Sequence, residues 1–264
     1  MTTADPYRPT PARLHNAILG GKDYYAPDHA LATSLATNNI TPAITESRRF
    51  ILRAVEYLID QHGVSQFIEL GCGYPHAPNI HEIAGGRNDD LTRILYIDND
   101  PVVAAYGRAL LTGPNSFFTD TDLTDTSAVL GDISAVMDTA RPIAVFVSGT
   151  AELISDAPAM VTALTDRLAS GTWMVFTHIT DDVHSHQIHS AAQTFRSAGI
   201  AFHSRGRDEI TDMLTGYRLV TPGLIAPHRW QPIPSGGVRA LATAPRHRAA
   251  SDLSAYAAVG RLHR

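Results

Sequence analysis

The chain has 264 residues, 44% hydrophobic and 18% charged, with a formal net charge of −5 at pH 7. That is enough for one large α/β domain with its own core, and the acidic balance argues against a nucleic-acid binder, which needs a basic face. The single cysteine excludes an intrachain disulfide, no apolar run approaches the ~20 residues of a membrane span, and the opening MTTADPYRPTPARLHN lacks the apolar core of a secretory signal, so a cytoplasmic enzyme is expected.

Met1 to Pro11 is a polar, proline-bearing lead-in. Ala12 to Leu19 predicts a short helix with Leu14, Ala17 and Ile18 inward, stopped by Gly20-Gly21. Lys22, Asp23, Tyr24 and Tyr25 follow, and Pro27-Asp28 opens another helix to about Thr37. GGKDYY reads as a capped turn whose tyrosines cover the core, or as a lid over a ligand. Ile44 to Gln61 is the clearest amphipathic helix, with Phe50, Ile51, Ala54, Val55, Leu58 and Ile59 at helical spacing and Arg48, Arg49 and Arg53 mostly on other faces.

The stretch Gln66 to Pro75, QFIELGCGYP, reads as a buried parallel strand ending in a glycine turn. Gly71 and Gly73 lack a Cβ where the chain turns, so a ligand can approach the main chain. A second run, Ile94 to Ile97, ends on Asp98. An acid there can accept hydrogen bonds from both hydroxyls of a ribose, which points to a nucleoside-containing ligand. A dinucleotide fingerprint would place its third glycine at position 76, occupied by His76. S-adenosylmethionine (SAM) carries no phosphate and needs no such contact, and the E-x-G-x-G form from Glu69 suits it better. Cys72 satisfies the turn's demand for a small side chain and has no evident activating partner.

His76 and His81 flank the start of a helix from Asn79 to Ala84, and residues 85–90 form a loop. Asn99-Asp100-Pro101 opens the next helix, with Asp100 as its cap. Phe117 to Thr121 is the third strand, followed by Asp122 and Leu123. Pro142 to Val147 is the fourth, ending in Ser148-Gly149-Thr150-Ala151-Glu152. Met160 to Leu168 is helical, and Trp173 to Thr177 is the fifth strand, ending at His178. Thr180 to His189 is rich in acids and histidines, but His184 does not share the helical face of His186 and His189, so a solvated helix start is expected and no metal. Gly199 to Arg205 reads as a strand and Asp208 to Leu214 as a helix. Tyr217 to Ile225, leading into HRWQP, reads as a closing antiparallel strand pair. Pro234 to Arg248 is loop-like, and Ser251 to Gly260 reads as a terminal helix docked through Leu253, Tyr256 and Val259.

The stretches ARLHNAILGGKDYYAPD, RRFILRAVEYL, QFIELGCGYP, NIHEIA, ILYIDNDPVVAAYGRALL, TDLTD, GYRLVTPGLI, HRWQP and YAAVGR carry a resemblance over nearly the whole chain. They are similar to an actinobacterial family of SAM-dependent methyltransferases formerly grouped as a domain of unknown function, DUF574. The resemblance implies a Rossmann-like class I methyltransferase fold. Its seven-stranded, mostly parallel sheet has order 3-2-1-4-5-7-6, helices on both faces and an N-terminal helical lid. It further implies a single domain over 1–264, with the lid at 1–45 and the SAM-binding core at 46–264. Glu69, Gly71, Cys72, Gly73, Asp98, Asn99, Asp122, Leu123, Ser148 and Lys22 are the expected SAM-binding residues. Asp122 takes the adenine amine, with Asp120 as the alternative. Lys22 either meets the methionine carboxylate or pairs with Asp23. Glu152, His178 and Tyr25 are the expected catalytic residues at the acceptor, itself expected to be a small molecule. The sequence departs from the family at Ser47, His76 and Glu152, where members often carry asparagine, threonine and histidine. Three rivals stay open: a SAM enzyme of another reaction type, a SAM-binding module without turnover and, least favoured because of His76, a nicotinamide enzyme.

Overall fold

The computed structural model describes residues 5–85, 92–111, 113, 115–230 and 253–263. Among these, seven strands form one sheet: β1 (Gln66–Leu70), β2 (Arg93–Ile97), β3 (Ser116–Thr119), β4 (Ala144–Val147), β5 (Trp173–Ile179), β6 (Tyr217–Leu219) and β7 (Ala255–Leu262). Their order is β3-β2-β1-β4-β5-β7-β6, as the resemblance implied. β1 to β5 pair in parallel, and β7 runs antiparallel between β5 and β6. β1, β4 and β5 are buried along their whole length, which is why they read as nearly continuous apolar runs.

Strand alternation divides the core between the two faces. Ile68, Leu70, Val147 and Phe176 pack with Val129 and Ile133 of α6 (Thr126–Val136), Val161 and Leu164 of α7 (Ala157–Arg167), and Ile210 of α9 (Arg207–Met213). Phe67, Tyr96, Phe146 and Val175 face Phe50, Val55 and Leu58 of α3 (Ile40–His62) and Ile80 of α4 (Ile80–Gly85). Glu69, two residues after Phe67, therefore falls on the α3 side. A third cluster joins Leu14 of α1 (Pro11–Ile18) and Leu31 and Leu35 of α2 (Ala26–Leu35) to Ile188 and Phe195 of α8 (Ser185–Ser197). α5 (Pro101–Leu110) is capped by Asp100, whose carboxylate accepts from Val102 N at 2.8 Å.

A buried ion pair fixes the N-terminal helices to each other. Arg13 Nε lies 2.7 Å from Asp28 Oδ2, with the two side chains 2% and 0% exposed. Asp28 also accepts from Thr10 N at 3.0 Å and Tyr25 N at 2.8 Å, so its charge is satisfied from three directions.

Three sequence expectations are corrected. The terminal segment is a strand, not a helix. Its alanines favour a helix intrinsically, but Ala255, Ala257, Ala258 and Val259 are wholly buried between β5 and β6, and pairing on both edges prevails. Gly199 to Arg205 is irregular chain, because its backbone donors find partners elsewhere: His203 N reaches Glu152 O at 2.8 Å. HRW is no strand either. Pro227–Arg229 is a 3₁₀ turn, and Trp230 is buried edge-on against Phe50 at 5.2 Å. The expected loops at 86–90 and 234–248 lie outside the described residues.

Candidate active site

The parallel register sets the ends of β1, β2 and β3 side by side, with Leu70 opposite Ile97 and Ile97 opposite Thr119. Beyond β1 the chain curls back, and Gly71 N and Cys72 N both donate to Ile97 O, at 2.8 and 3.2 Å. Gly71 (φ +67°) and Gly73 (φ +64°) both sit in the left-handed region, for different reasons. A Cβ on Gly71 would come within 2.5 Å of Thr150 Oγ1, whereas one on Gly73 would meet no atom within 4 Å. The first glycine admits the Thr150 hydroxyl, which donates to Leu70 O at 2.9 Å and ties the tips of β1 and β4 together. The second leaves open space in front of the turn.

Asp98 closes the other side of that space. Its Oδ2 accepts from Gly73 N at 2.8 Å and its Oδ1 from Asp100 N at 3.0 Å. Burial raises its pKa, and those two N–H groups oppose the rise. Each oxygen keeps a further lone pair. Asn99 is exposed and donates to Asp122 Oδ2 at 3.2 Å, joining the tips of β2 and β3. The other Asp122 oxygen accepts from Thr124 N at 2.9 Å, and Leu123 is buried in the core. Asp120 pairs instead with Arg108 of α5 at 2.9 Å.

Next to the glycine turn a cavity encloses about 990 Å³ of atom-free space, counting the part open to solvent. Its polar side carries Arg48, Glu69, His76, Ser148, Glu152 and His15, and its apolar side Leu14, Ile18, Ile44, Ile179, Phe195 and Phe202. Arg48 reaches from α3 to Glu69 at 3.2 Å and to the carbonyls of His76 and Pro78, each at 2.9 Å, and so fixes the chain beyond the turn. Burial raises the Glu69 pKa, and Arg48 counters it. Burial and the charges of Asp98 and Glu69 hold the Cys72 thiol well above its ordinary pKa, which leaves it protonated rather than nucleophilic. Glu152 is 2% exposed; its Oε1 accepts from Ile179 N at 2.8 Å, and its Oε2 is buried without a hydrogen-bond partner among the described residues.

The sequence model of the S-adenosyl methyltransferase family matches residues 1–263. The chain belongs to this family. A DUF574 family protein from Streptomyces avermitilis has the same structure with a TM-score of 0.87 at 27% identity, over 98% of this chain and 99% of that one. A Thermobifida fusca protein assigned as a methyltransferase gives 0.84 at 30% identity, over 97% and 96%. The plantazolicin methyltransferase BpumL, solved with S-adenosylhomocysteine (SAH), shares the fold alone, with a TM-score of 0.53 at 14% identity over 96% and 95%. The comparison with curated proteins finds no match. The chain is thus a SAM-dependent methyltransferase of class I fold. Among its described residues no helix is long and apolar enough to cross a membrane, and no three His, Cys, Asp or Glu side chains gather as metal ligands.

The methyltransferase brings most of the expected residues to one end of the sheet. Glu69, Gly71, Cys72, Gly73, Ser148 and Glu152 line the cavity, and Asp98, Asn99 and Asp122 continue along the neighbouring strand tips. Three others lie elsewhere. Lys22 is exposed and off the cavity wall. Tyr25 is 43% exposed, with the Arg13 guanidinium 4.8 Å over its ring, so it does not cover the core. His178 is fully buried behind the cavity. Arg205 can only donate, so the 2.9 Å contact to His178 Nε2 makes that nitrogen the acceptor, and Nδ1–H donates to Ile179 O at 2.7 Å. Both ring nitrogens are thereby occupied, and the ring braces β5 in its neutral form.

Two cavity residues escaped the sequence reading. Arg48 was grouped with the polar face of its helix, and only the fold carries it to Glu69. His15 had a local signal: it precedes Ile18 and Leu19 by three and four positions, and all three line the cavity. Its ring lies over Gly149 (φ +66°), where a Cβ would come within 2.5 Å of His15 Cε1.

Proposed function

We propose that this methyltransferase acts on a small-molecule acceptor held in the apolar half of the cavity. The observation that carries the reading is the cavity itself, which runs from the glycine turn to the side chains of α1, α3 and α8. An acceptor lodged there is enclosed by the protein, which suits a compact molecule better than a polymer.

The residues fit SAM. The space in front of Gly73 has no atom where a Cβ would stand, so a ligand can lie against the backbone. The remaining lone pairs of Asp98 suit the two ribose hydroxyls, and Asn99 and Asp122 offer polar groups for the adenine edge, with Leu123 beneath. Glu69, Arg48 and Ser148 supply charge and hydrogen bonds for the amino-acid end. When bound, SAM supplies an electrophilic methyl group on a sulfonium. The chain holds the acceptor in line and keeps water out. Glu152 brings a buried carboxylate with an unpartnered oxygen to the cavity wall. Lys22, Tyr25 and His178 have no role in this arrangement. Residues 1–45 act as a lid on the core at 46–264, within one domain.

The test is transfer of labelled methyl from SAM to a metabolite extract, separated by size, with SAH binding measured by calorimetry. Label in the low-molecular-mass fraction, abolished by excess SAH, is the expected result. Label confined to protein or nucleic acid would overturn the reading.

A further inference from the structure

We propose that His15 takes the proton that the acceptor loses as it is methylated, with Glu152 steadying the resulting imidazolium, and that the acceptor is a phenol-like hydroxyl on an apolar body. This rests on the reading that SAM and acceptor share the cavity.

The geometry comes first. His15 lines the cavity from α1, and Glu152 lines it from the 3₁₀ turn after β4 (Ala151–Leu153). The left-handed Gly149 between β4 and that turn leaves room for the His15 ring and sets it at the β4 tip, next to Ser148. Glu152 is nine-tenths buried and more, and one of its oxygens has no partner. The Arg205 guanidinium already lies in the field of Glu152 but does not bond its spare oxygen, which leaves that oxygen costly to bury. His15, on the cavity wall, is a group that can become a second cation beside it.

The protonation state agrees. Burial lowers the His15 pKa and the charge of Glu152 pulls it back up, so at neutral pH the imidazole is free to accept a proton. Of the other ionisable groups on the wall, Arg48 and Glu69 are paired, and burial holds Cys72 and Tyr74 protonated. Burial lowers the His76 pKa as it does that of His15, but the charge acting on His76 is the like charge of Arg48, which opposes an imidazolium, whereas Glu152 favours one at His15. On α2, Asp28 is held by Arg13.

The acceptor class follows from what such a base is for. A carboxylate or phosphate acceptor carries no proton to remove, and the carboxylates on the wall disfavour an anion. An imidazole works best on an acid within a few units of its own pKa, which a phenol at about 10 satisfies. Phe195 and Phe202, stacked at 4.5 Å, and the aliphatic wall suit the apolar body. In the step, the phenol oxygen forms its bond to the methyl carbon while the carbon–sulfur bond breaks with its pair going to sulfur. The O–H proton passes to His15, which later releases it to solvent.

The experiment uses the full chain, His15→Gln and Glu152→Gln, with 4-alkylphenols and 2-naphthol as probes. Calorimetry with SAH comes first. His15→Gln should bind within about twofold of wild type, showing an intact fold and cofactor half. In proton–carbon NMR, the Cε1–H signal missing from His15→Gln should titrate below 6.5 in wild type, and lower still in Glu152→Gln. On the best probe, kcat should rise with pH along a limb that matches this titration. His15→Gln should lower kcat ~100-fold or more with KM nearly unchanged, and should erase the limb. Glu152→Gln should move the limb to lower pH. A wild-type rate or an unmoved limb in His15→Gln overturns the proposal while leaving the cofactor reading intact. So does a His15 signal indifferent to Glu152→Gln, or a protein that binds SAH but methylates none of the probes. Failure of wild type to bind SAH overturns both readings together.

Discussion

Asp98 offers the sharpest test of the cofactor half. Its carboxylate is 9% exposed, and each oxygen already accepts one backbone N–H, from Gly73 and Asp100. Of about four acceptor positions two remain, which matches two ribose hydroxyls. In Asp98→Ala the hydroxyls rebond to water admitted by the smaller side chain, so the net loss is that of a buried hydrogen bond, ~1–3 kcal/mol, or about 5- to 150-fold in SAH affinity by calorimetry. The same substitution also strips two backbone donors of their acceptor, so disorder of the turn is a second route to weaker binding. A second ligand separates the causes. With 2′-deoxy SAH, wild type should lose several-fold in affinity, while Asp98→Ala, having nothing left to offer that hydroxyl, should lose almost none. Unchanged SAH affinity in a folded Asp98→Ala protein would refute the ribose assignment. So would a mutant that discriminates against the deoxy ligand as strongly as wild type.

The two glycines of the turn should respond differently. Gly73→Ala pays the left-handed backbone penalty of ~1–2 kcal/mol in urea unfolding and loses SAH affinity, because its new methyl enters the ligand space. Gly71→Ala should be the less stable of the two, since its methyl must displace the Thr150 hydroxyl that joins β1 to β4; equal stabilities would count against that account. Asp28→Ala leaves Arg13 buried without its partner and should cost ~3–5 kcal/mol, seen as faster amide hydrogen exchange over residues 11–35 while the strands stay protected. Uniform loss of protection would instead make these helices part of the core's cooperative unit. Stability should also fall as pH drops below about 6.5, the ordinary histidine value, because burial lowers the pKa of His178. The unfolded chain then binds the proton before the folded one does, so stability present above 6.5 is lost as pH falls toward the depressed value. His178→Asn should flatten this acid limb in urea midpoints between pH 7 and 5. A limb as steep as wild type would assign it to other histidines with a lowered pKa, such as His15.

Much of the sheet was legible because its strands are buried on both faces and announce themselves as apolar runs bounded by glycines and acids. β7 was not. Its alanines are small to let neighbouring chains approach closely, and the same feature counts as helix propensity in an isolated stretch. At Gly260 a Cβ would come within 2.9 Å of both Leu219 and Tyr217, a constraint that exists only once β6 lies alongside. Ile200 and Phe202 alternate like a strand, yet both belong to the cluster with α1, α2 and α8, and the backbone there bonds to Glu152 and to the last residue of β5, Ile179, without forming a ladder.

The two halves of the site differ in the same way, and the difference bears on how the methyltransferase acquires its substrate. The cofactor half is made from main chain: two glycines, a strand tip and a carboxylate held by backbone N–H groups, all encoded within short local stretches. It therefore appears as a motif. The part of the cavity that we propose for the acceptor is made from side chains of α1, α3, α8, the turn after β4 and the irregular chain beyond α8, brought together from positions as distant as Leu14 and Phe202. No local spacing encodes it. His15 on α1, Glu152 on the 3₁₀ turn after β4 and Phe202 in the irregular chain beyond α8 make none of the hydrogen bonds that set the glycine turn, so exchanging them should leave that turn as it is. The positions where the sequence departs from the family pattern, Ser47, His76 and Glu152, all line the cavity.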